Sequence, residues 1–335
     1  VNSSSISISK AVLISFAMIA IVEFYLGTSS EDQFTRIGVQ RSIELEQRSA
    51  PLVEIFGDSV ADGGINEVLL ARELGLEQSE VVNASIPGTH AFYAYFVLKR
   101  QLDAGHVPKC VILAYNARSY TRAPGEKFLA RFARWSDMPK SINMGIPFED
   151  IASSVVARFS FSLRYRDELN VMIRTRDGGG FFDPRLTPAE DYAARIARLP
   201  VSRPAPPQIP SRSGFNPGFH SGTFLPAKEI RRSLCSFFEL AQQHQIKVFL
   251  VSMPKTEEAS RRHIGNGFDA AYEAFMDTLV QKHGARWLIR DQISLSSESF
   301  SDAVHLTPCA AFDFSLLLAE KIKIAGFSHR TDGGR

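Results

Sequence analysis

Strand-like and helix-like hydrophobic patterns alternate through the first third of this chain and again through its last third. Leu52 to Phe56 is a short apolar run that ends in Gly57-Asp58-Ser59, the pattern of a buried parallel strand meeting a tight turn. Asp62 then leads into Ile65, Val68, Leu69 and Leu74, whose spacing predicts a helix. The rhythm repeats as Val81-Val82 with Asn83 at the strand's end, a helix from about Thr89 to Leu102, and a strand from Cys110 to Tyr115. It resumes with a helix near Ala227 to Gln245, a strand from Ile246 to Ser252, a helix from Phe268 to His283 and a short strand from Arg286 to Ile289. A last helix runs from about Pro308 to Ile324. Such alternation predicts an α/β domain, a doubly wound sheet of parallel strands with helices on both faces.

The stretch from Ala117 to Leu225 breaks this rhythm. A structureless loop of that length inside a compact domain would be unusual, so a partly helical insertion is expected. Its helical segments fall near Phe148 to Arg174 and Pro188 to Leu199, and it is expected to lie over the site as a lid or docking surface. The proline-rich stretch from Arg203 to Pro210 reads as an extended connector. Before the domain, Ala11 to Leu26 is nearly all apolar, follows Lys10 and precedes Glu31 and Asp32, which predicts a signal-anchor. The run is 16 residues long and Glu23 interrupts it, which leaves a cleaved signal peptide, hence secretion, as the alternative. No A-x-A cleavage site is present. The lone lysine places the N-terminus inside and the bulk of the chain on the extracytoplasmic, periplasmic side. The expected organisation is therefore a signal-anchor or signal peptide over 1–27, a stalk or short helix over 28–50, the domain over 51–116 and 226–328 with the insertion over 117–225 between its parts, and a tail over 329–335.

Composition adds exclusions. The 335 residues are 44% hydrophobic and 22% charged, enough for one large core. Basic and acidic residues number 38 and 36 with no long single-sign run, so nucleic acid is not an expected partner. Cys110, Cys235 and Cys309 form no CxxC pair, and His90, His106, His220, His244, His263 and His283 lack metal-ligand spacing. Neither a metal nor an organic cofactor is expected. Arg118, Arg122, Arg131 and Arg134 read as solvated surface charge, or as a surface that meets an anionic polysaccharide.

Four signals carry candidate chemistry. Ser59 stands where the first strand ends, and ligands in parallel sheets bind outside the carboxyl ends of the strands. Asp302-Ala303-Val304-His305 stands just before the last helix. A serine hydroxyl becomes a nucleophile when a histidine takes its proton, and a carboxylate fixes that histidine's tautomer. A three-residue spacing lets one turn present both Asp302 and His305. Gly88, in Asn83-Ala84-Ser85-Ile86-Pro87-Gly88, and Asn116, in Leu113-Ala114-Tyr115-Asn116, follow the next two strands. A glycine N–H approaches a substrate without a side chain in the way, and an asparagine offers its amide, so both are candidates for stabilising an oxyanion. Singly, each signal also reads as an ordinary turn or cap.

In chain order, Ser59 in a Gly-Asp-Ser turn, Gly88, Asn116 and His305 in an Asp-x-x-His turn resemble the four blocks of the SGNH/GDSL hydrolase superfamily. The resemblance covers roughly Leu52 to Asn116 and Lys247 to Gly326. It implies a flavodoxin-like three-layer α/β/α domain with five parallel strands. It also implies that Ser59 is the nucleophile, His305 the base and Asp302 its orienting group, with Gly88 N–H, the Asn116 side chain and Ser59 N–H as the oxyanion hole. The third block usually reads Gly-x-Asn-Asp, whereas this chain has Ala114-Tyr115-Asn116-Ala117. The layout of anchor, outward domain and insertion is similar to accessory proteins that work beside membrane-bound O-acyltransferases in cell-envelope polysaccharide modification. What it implies is an acyl esterase or O-acyltransferase, with an acylated, mainly acetylated, glycan or small ester as substrate and a membrane-bound O-acyltransferase as partner. A non-catalytic binding or scaffold module of the same fold is the alternative.

Overall fold

The computed structural model describes residues 12–23, 33–47, 49–165, 199–205 and 222–327. Residues 37–123 and 188–335 form one compact unit, and residues 1–36 and 124–187 form another.

The first unit holds the strands β1 (Val53–Gly57), β2 (Val81–Asn83), β3 (Cys110–Ala114), β4 (Lys247–Val251), β5 (Lys255–Thr256), β6 (Arg286–Ile289) and β7 (Ser294–Leu295). Five of them make an all-parallel sheet in the order β2-β1-β3-β4-β6, and β5 pairs with β7 as a separate small sheet. Every residue of β1, β2 and β3 is buried, which is why these strands read as continuous apolar runs rather than alternating ones. Val53 and Ile55 face a core built with Leu70 and Leu74 of the helix Glu67–Leu74 and with Phe314 and Leu318 of the helix Pro308–Ile324. Phe56 points to the other face, where it meets Phe237 edge-on at 5.8 Å. That face is covered by the helices Phe92–Asp103 and Lys228–Gln243, joined where Ser233 donates to the Phe92 carbonyl. The result is the three-layer arrangement expected from the sequence. The chain leaves β1 toward β2 on one side and returns to β3 on the other, so the crevice at the carboxyl ends of β1 and β3 is the switch point of the sheet.

The segment expected as a stalk or short helix over 28–50 holds the helix Gln33–Gln47. From Ile37 onward it belongs to the sheet unit, where buried Arg41 pairs with Asp62 at 2.7 Å and Ser42 accepts from Arg100. The helix Glu257–Asn266 has only Ala259 and His263 buried. It therefore lacks the apolar spacing that would have marked it in the sequence.

In the second unit the helices are Glu126–Phe132, Met138–Asn143, Phe148–Phe159 and Phe161–Arg164. The segment expected near Phe148 to Arg174 is thus helical as far as Arg164, broken once at Ser160, whose hydroxyl caps the next turn by accepting from Leu163 N–H. Its remainder after Tyr165, the segment expected at Pro188 to Leu199 apart from its last residue, the end of the proline-rich stretch and the tail all lie outside the described residues. A helical segment covers 12–23, and Glu23 in it accepts from Ser160 Oγ at 2.9 Å and Ser162 N–H at 3.0 Å. Burial raises the Glu23 carboxyl, but these donors from Ser162 and Ser160 outweigh it and hold its pKa below the usual range. The charge that interrupts the apolar run thus has a fixed partner. Among the described residues no helix is long and apolar enough to cross a membrane. The expected membrane helix therefore finds no support there.

Candidate active site

The site begins where β1 runs out. A Cβ at Gly57 would lie 2.3 Å from Ala61 Cβ, 2.7 Å from Ser85 Oγ and 2.9 Å from the Ala114 carbonyl oxygen. Gly57 is not among the residues with positive φ. The requirement at Gly57 is space, because the chain turns against two neighbouring elements at once. Asp58 follows as the N-cap of the short helix Ser59–Gly64, its Oδ1 accepting from Val60 N–H at 2.9 Å. Ser59 is thereby the first helical residue, half-buried, with its own N–H unpaired among the described residues.

His305 is delivered by a closed turn. Phe300 and Leu306 form an antiparallel bridge and are both buried, and Ser301 N–H donates to the His305 carbonyl at 2.8 Å. Inside this turn Asp302 Oδ1 accepts from the N–H groups of Val304 (2.9 Å) and His305 (2.8 Å). Asp302 Oδ2 then takes His305 Nδ1 at 2.6 Å, and His305 Nε2 lies 2.9 Å from Ser59 Oγ. An ionised carboxylate only accepts, so Nδ1 carries the proton and Nε2 offers its lone pair to the Ser59 hydroxyl. Burial raises the Asp302 pKa, but the N–H groups of Val304 and His305 and the imidazole itself outweigh it, so the carboxyl titrates below its ordinary value. The side chains of His305 and Asp302 are 34% and 49% exposed. Both side chains are thus part-exposed.

Gly88 is exposed and left-handed, with φ 74°, in a turn closed by Thr89 N–H to the Ile86 carbonyl. This conformation suits glycine, and the turn is tied to the end of β1 by Ile86 N–H donating to the Gly57 carbonyl at 3.1 Å. Asn116 uses its side-chain oxygen to accept from Arg118 N–H at 3.0 Å, which orients the amide. Its NH2 group and the Gly88 N–H have no hydrogen-bond partner among the described residues. The structure thus joins Ser59, His305 and Asp302 directly. It links Asn116 to the nucleophile's turn through Asp58, whose Oδ2 accepts from Asn116 N–H at 3.1 Å, and it links Gly88 through the backbone.

Two residues of this arrangement escaped the sequence reading. Asp58 looks like a helix cap and no more, yet its second oxygen also accepts from Ser119 Oγ, fastening the loop after β3 to the turn after β1. Burial pushes the Asp58 pKa up, against the opposing pull of Ser119, Val60 and Asn116, to which His305 adds once it is protonated. Ser119 gives no signal in the sequence, since it meets Asp58 only through the fold.

A hydroxyl hydrogen-bonded to an imidazole, with a carboxylate behind it and unpaired N–H groups nearby, is equipped for nucleophilic attack on an ester carbonyl. Comparison with solved structures finds similarity to a chain from Bacteroides fragilis NCTC 9343 assigned as an acylhydrolase, at 13% identity over 86% of this chain and 92% of that one, with a TM-score of 0.37. It also finds similarity to a GDSL-like lipase from Bacteroides thetaiotaomicron VPI-5482, at 13% identity over 88% of this chain and 98% of that one, with a TM-score of 0.37. No protein-family model and no curated protein matches the chain. At such a score the superposition is too loose to transfer residue roles, and the roles rest on the geometry.

Proposed function

We propose that the chain is a serine esterase or O-acyltransferase of the SGNH/GDSL type, with Ser59 carrying the acyl group. The observation that supports this most is the continuous chain from Ser59 Oγ to His305 Nε2 at 2.9 Å and from His305 Nδ1 to Asp302 at 2.6 Å. In the first step Ser59 Oγ attacks the ester carbon while its proton passes to Nε2. The imidazolium is stabilised by Asp302, and the developing oxyanion is met by N–H donors from Ser59, Gly88 and Asn116. His305 then returns the proton to the leaving alkoxide. In the second step water, or a sugar hydroxyl, attacks the Ser59 ester and His305 again takes and returns a proton. Hydrolysis and transfer share the intermediate and differ only in the attacking hydroxyl.

The substrate in this reading is an acetyl or similarly small acyl ester of an extracytoplasmic glycan. The exposure of Asp302 and His305 supports it, because a bulky acceptor reaches such a site without the protein opening. The apolar run from Ala11 to Leu26 supports a location at the outer face of a membrane, with a membrane-bound O-acyltransferase as the donor's source. The test is turnover of p-nitrophenyl acetate by the protein and by Ser59→Ala and His305→Ala. Loss in both folded variants is the expected result; equal rates in all three would move a non-catalytic binding module of the same fold to the front.

A further inference from the structure

Beside the triad the strand ends enclose a small cleft whose walls include Asn116, Met253, Lys255, His263, Gln292 and Val304. Its free volume is about 20 Å³, counted for the centre of a water-sized group, which is the space of one hydroxyl or one water. Two walls belong to the catalytic arrangement: Asn116 is the oxyanion candidate after β3, and Val304 sits in the turn between Asp302 and His305.

The polar atoms in this cleft are not all spoken for. Gln292 Oε1 is buried and has no hydrogen-bond partner among the described residues. Lys255 is held next to it by the pairing of β5 with β7, through Lys255 N–H to the Ile293 carbonyl. The Lys255 ammonium donates to Asp269, whose other oxygen takes His263 Nδ1 at 2.9 Å. An ammonium has three N–H groups, and Asp269 is its one side-chain partner among the described residues, so donors remain. Gln292 and Lys255 both line the cleft, so an unpaired acceptor and a cation with spare donors belong to its walls. A methyl there would leave the Gln292 oxygen unpaired, and a carbonyl could only accept. A hydroxyl satisfies both, donating to Gln292 and accepting from Lys255.

Building on the esterase reading above, we infer that this cleft is a hydroxyl subsite for the alcohol side of the ester, in which Gln292 and Lys255 hold a free hydroxyl of a sugar ring next to the one that carries or receives the acyl group. Gln292 is then a specificity residue that separates acetylated sugars from simple esters. A site built to bond a hydroxyl discriminates against substrates that lack it far better than an apolar pocket does.

The experiment compares kcat/KM for methyl 2-O-acetyl- and 6-O-acetyl-glucoside with that for p-nitrophenyl acetate, which has no hydroxyl on its alcohol side. Gln292→Met keeps the length of the side chain and removes the acceptor; Gln292→Glu restores one. The expected result is a loss of about 3–10-fold on at least one glucoside for Gln292→Met, with p-nitrophenyl acetate within about twofold of the parent and Gln292→Glu recovering the preference. The unchanged rate on p-nitrophenyl acetate also shows that the variant is folded. An equal loss on all substrates, or no loss on either glucoside, would overturn the subsite. A parent enzyme active on p-nitrophenyl acetate but on neither glucoside would overturn the subsite alone, whereas a parent inactive on p-nitrophenyl acetate would overturn the esterase reading beneath it.

Discussion

Replacing Glu54 by Gln should stabilise the protein at alkaline pH and leave it nearly unchanged in acid. Glu54 is the second residue of β1, opposite Val82 on one side and Val111 on the other, and is fully buried. Burial pushes its pKa from 4.5 up to about 8, against the smaller opposing effect of the Gln101 side chain. A raised folded pKa in an acid means that the folded state keeps a proton that the unfolded chain releases. Below about pH 4.5 both states are protonated and the group imposes no penalty. Between about 4.5 and 8 stability falls as the pH rises, and above 8 the loss is complete. At about 1.36 kcal/mol per unit, the shift corresponds to roughly 4–5 kcal/mol lost across that window. That is a large share of a domain stability of about 5–15 kcal/mol. Glutamine is neutral throughout and removes the dependence. Urea unfolding at pH 5.0, 6.5 and 8.5 measures the stability difference between Glu54→Gln and the parent, which should grow by several kcal/mol from the first pH to the last. A constant difference would refute the reasoning, because it would mean that Glu54 ionises in the fold as easily as in the open chain.

Gly57→Ala places a Cβ against Ala61, Ser85 and the Ala114 carbonyl at once, two of these contacts being with elements that the sheet holds fixed. The expected cost is about 3 kcal/mol, read as a fall in Tm on the order of 5–10 °C. Ser119→Ala removes a donor from buried Asp58 and should lower kcat roughly 10-fold with KM unchanged and the fold intact, while Ser119→Thr restores the rate. A change in KM with kcat preserved would point instead to substrate contact. Asp302→Asn keeps the size of the side chain but no longer demands a proton on His305 Nδ1, and should lower kcat by about 10²–10⁴-fold in a steady-state ester assay.

The parts of this molecule that were legible in advance share one physical property: their signal is local. The apolar run of β1 broken by Gly57-Asp58-Ser59, and the spacing that puts Asp302 and His305 on one turn, can be read because each is set by residues a few positions apart. The three layers followed from strands buried on both faces alternating with helices of apolar spacing. What was not legible is set by contacts between distant segments. Asp58 reads as a cap because its bond to Val60 is local, while its bonds to Asn116 and Ser119 exist only once β1 and β3 lie side by side. The helix Glu257–Asn266 was missed because it buries so little, although Thr256, whose hydroxyl accepts from Ala259 N–H, was a capping signal available in the sequence. Glu54 shows the converse: a charged residue in an apolar run looks like an edge or an exposed face, yet here it is fully buried in a strand paired on both sides. Gln292 and Lys255 come together only through the pairing of two-residue strands too short to announce themselves.

The most direct test of the central claim is covalent trapping of the nucleophile. The protein is incubated with a fluorophosphonate, digested, and the modified peptide mapped by mass spectrometry, with His305→Ala and Ser59→Ala treated in parallel. One adduct is expected, on Ser59, formed quickly in the parent, at least about 100-fold more slowly in His305→Ala and not at all in Ser59→Ala. A parent protein left unmodified, or one modified at another serine with Ser59 untouched, would contradict the claim.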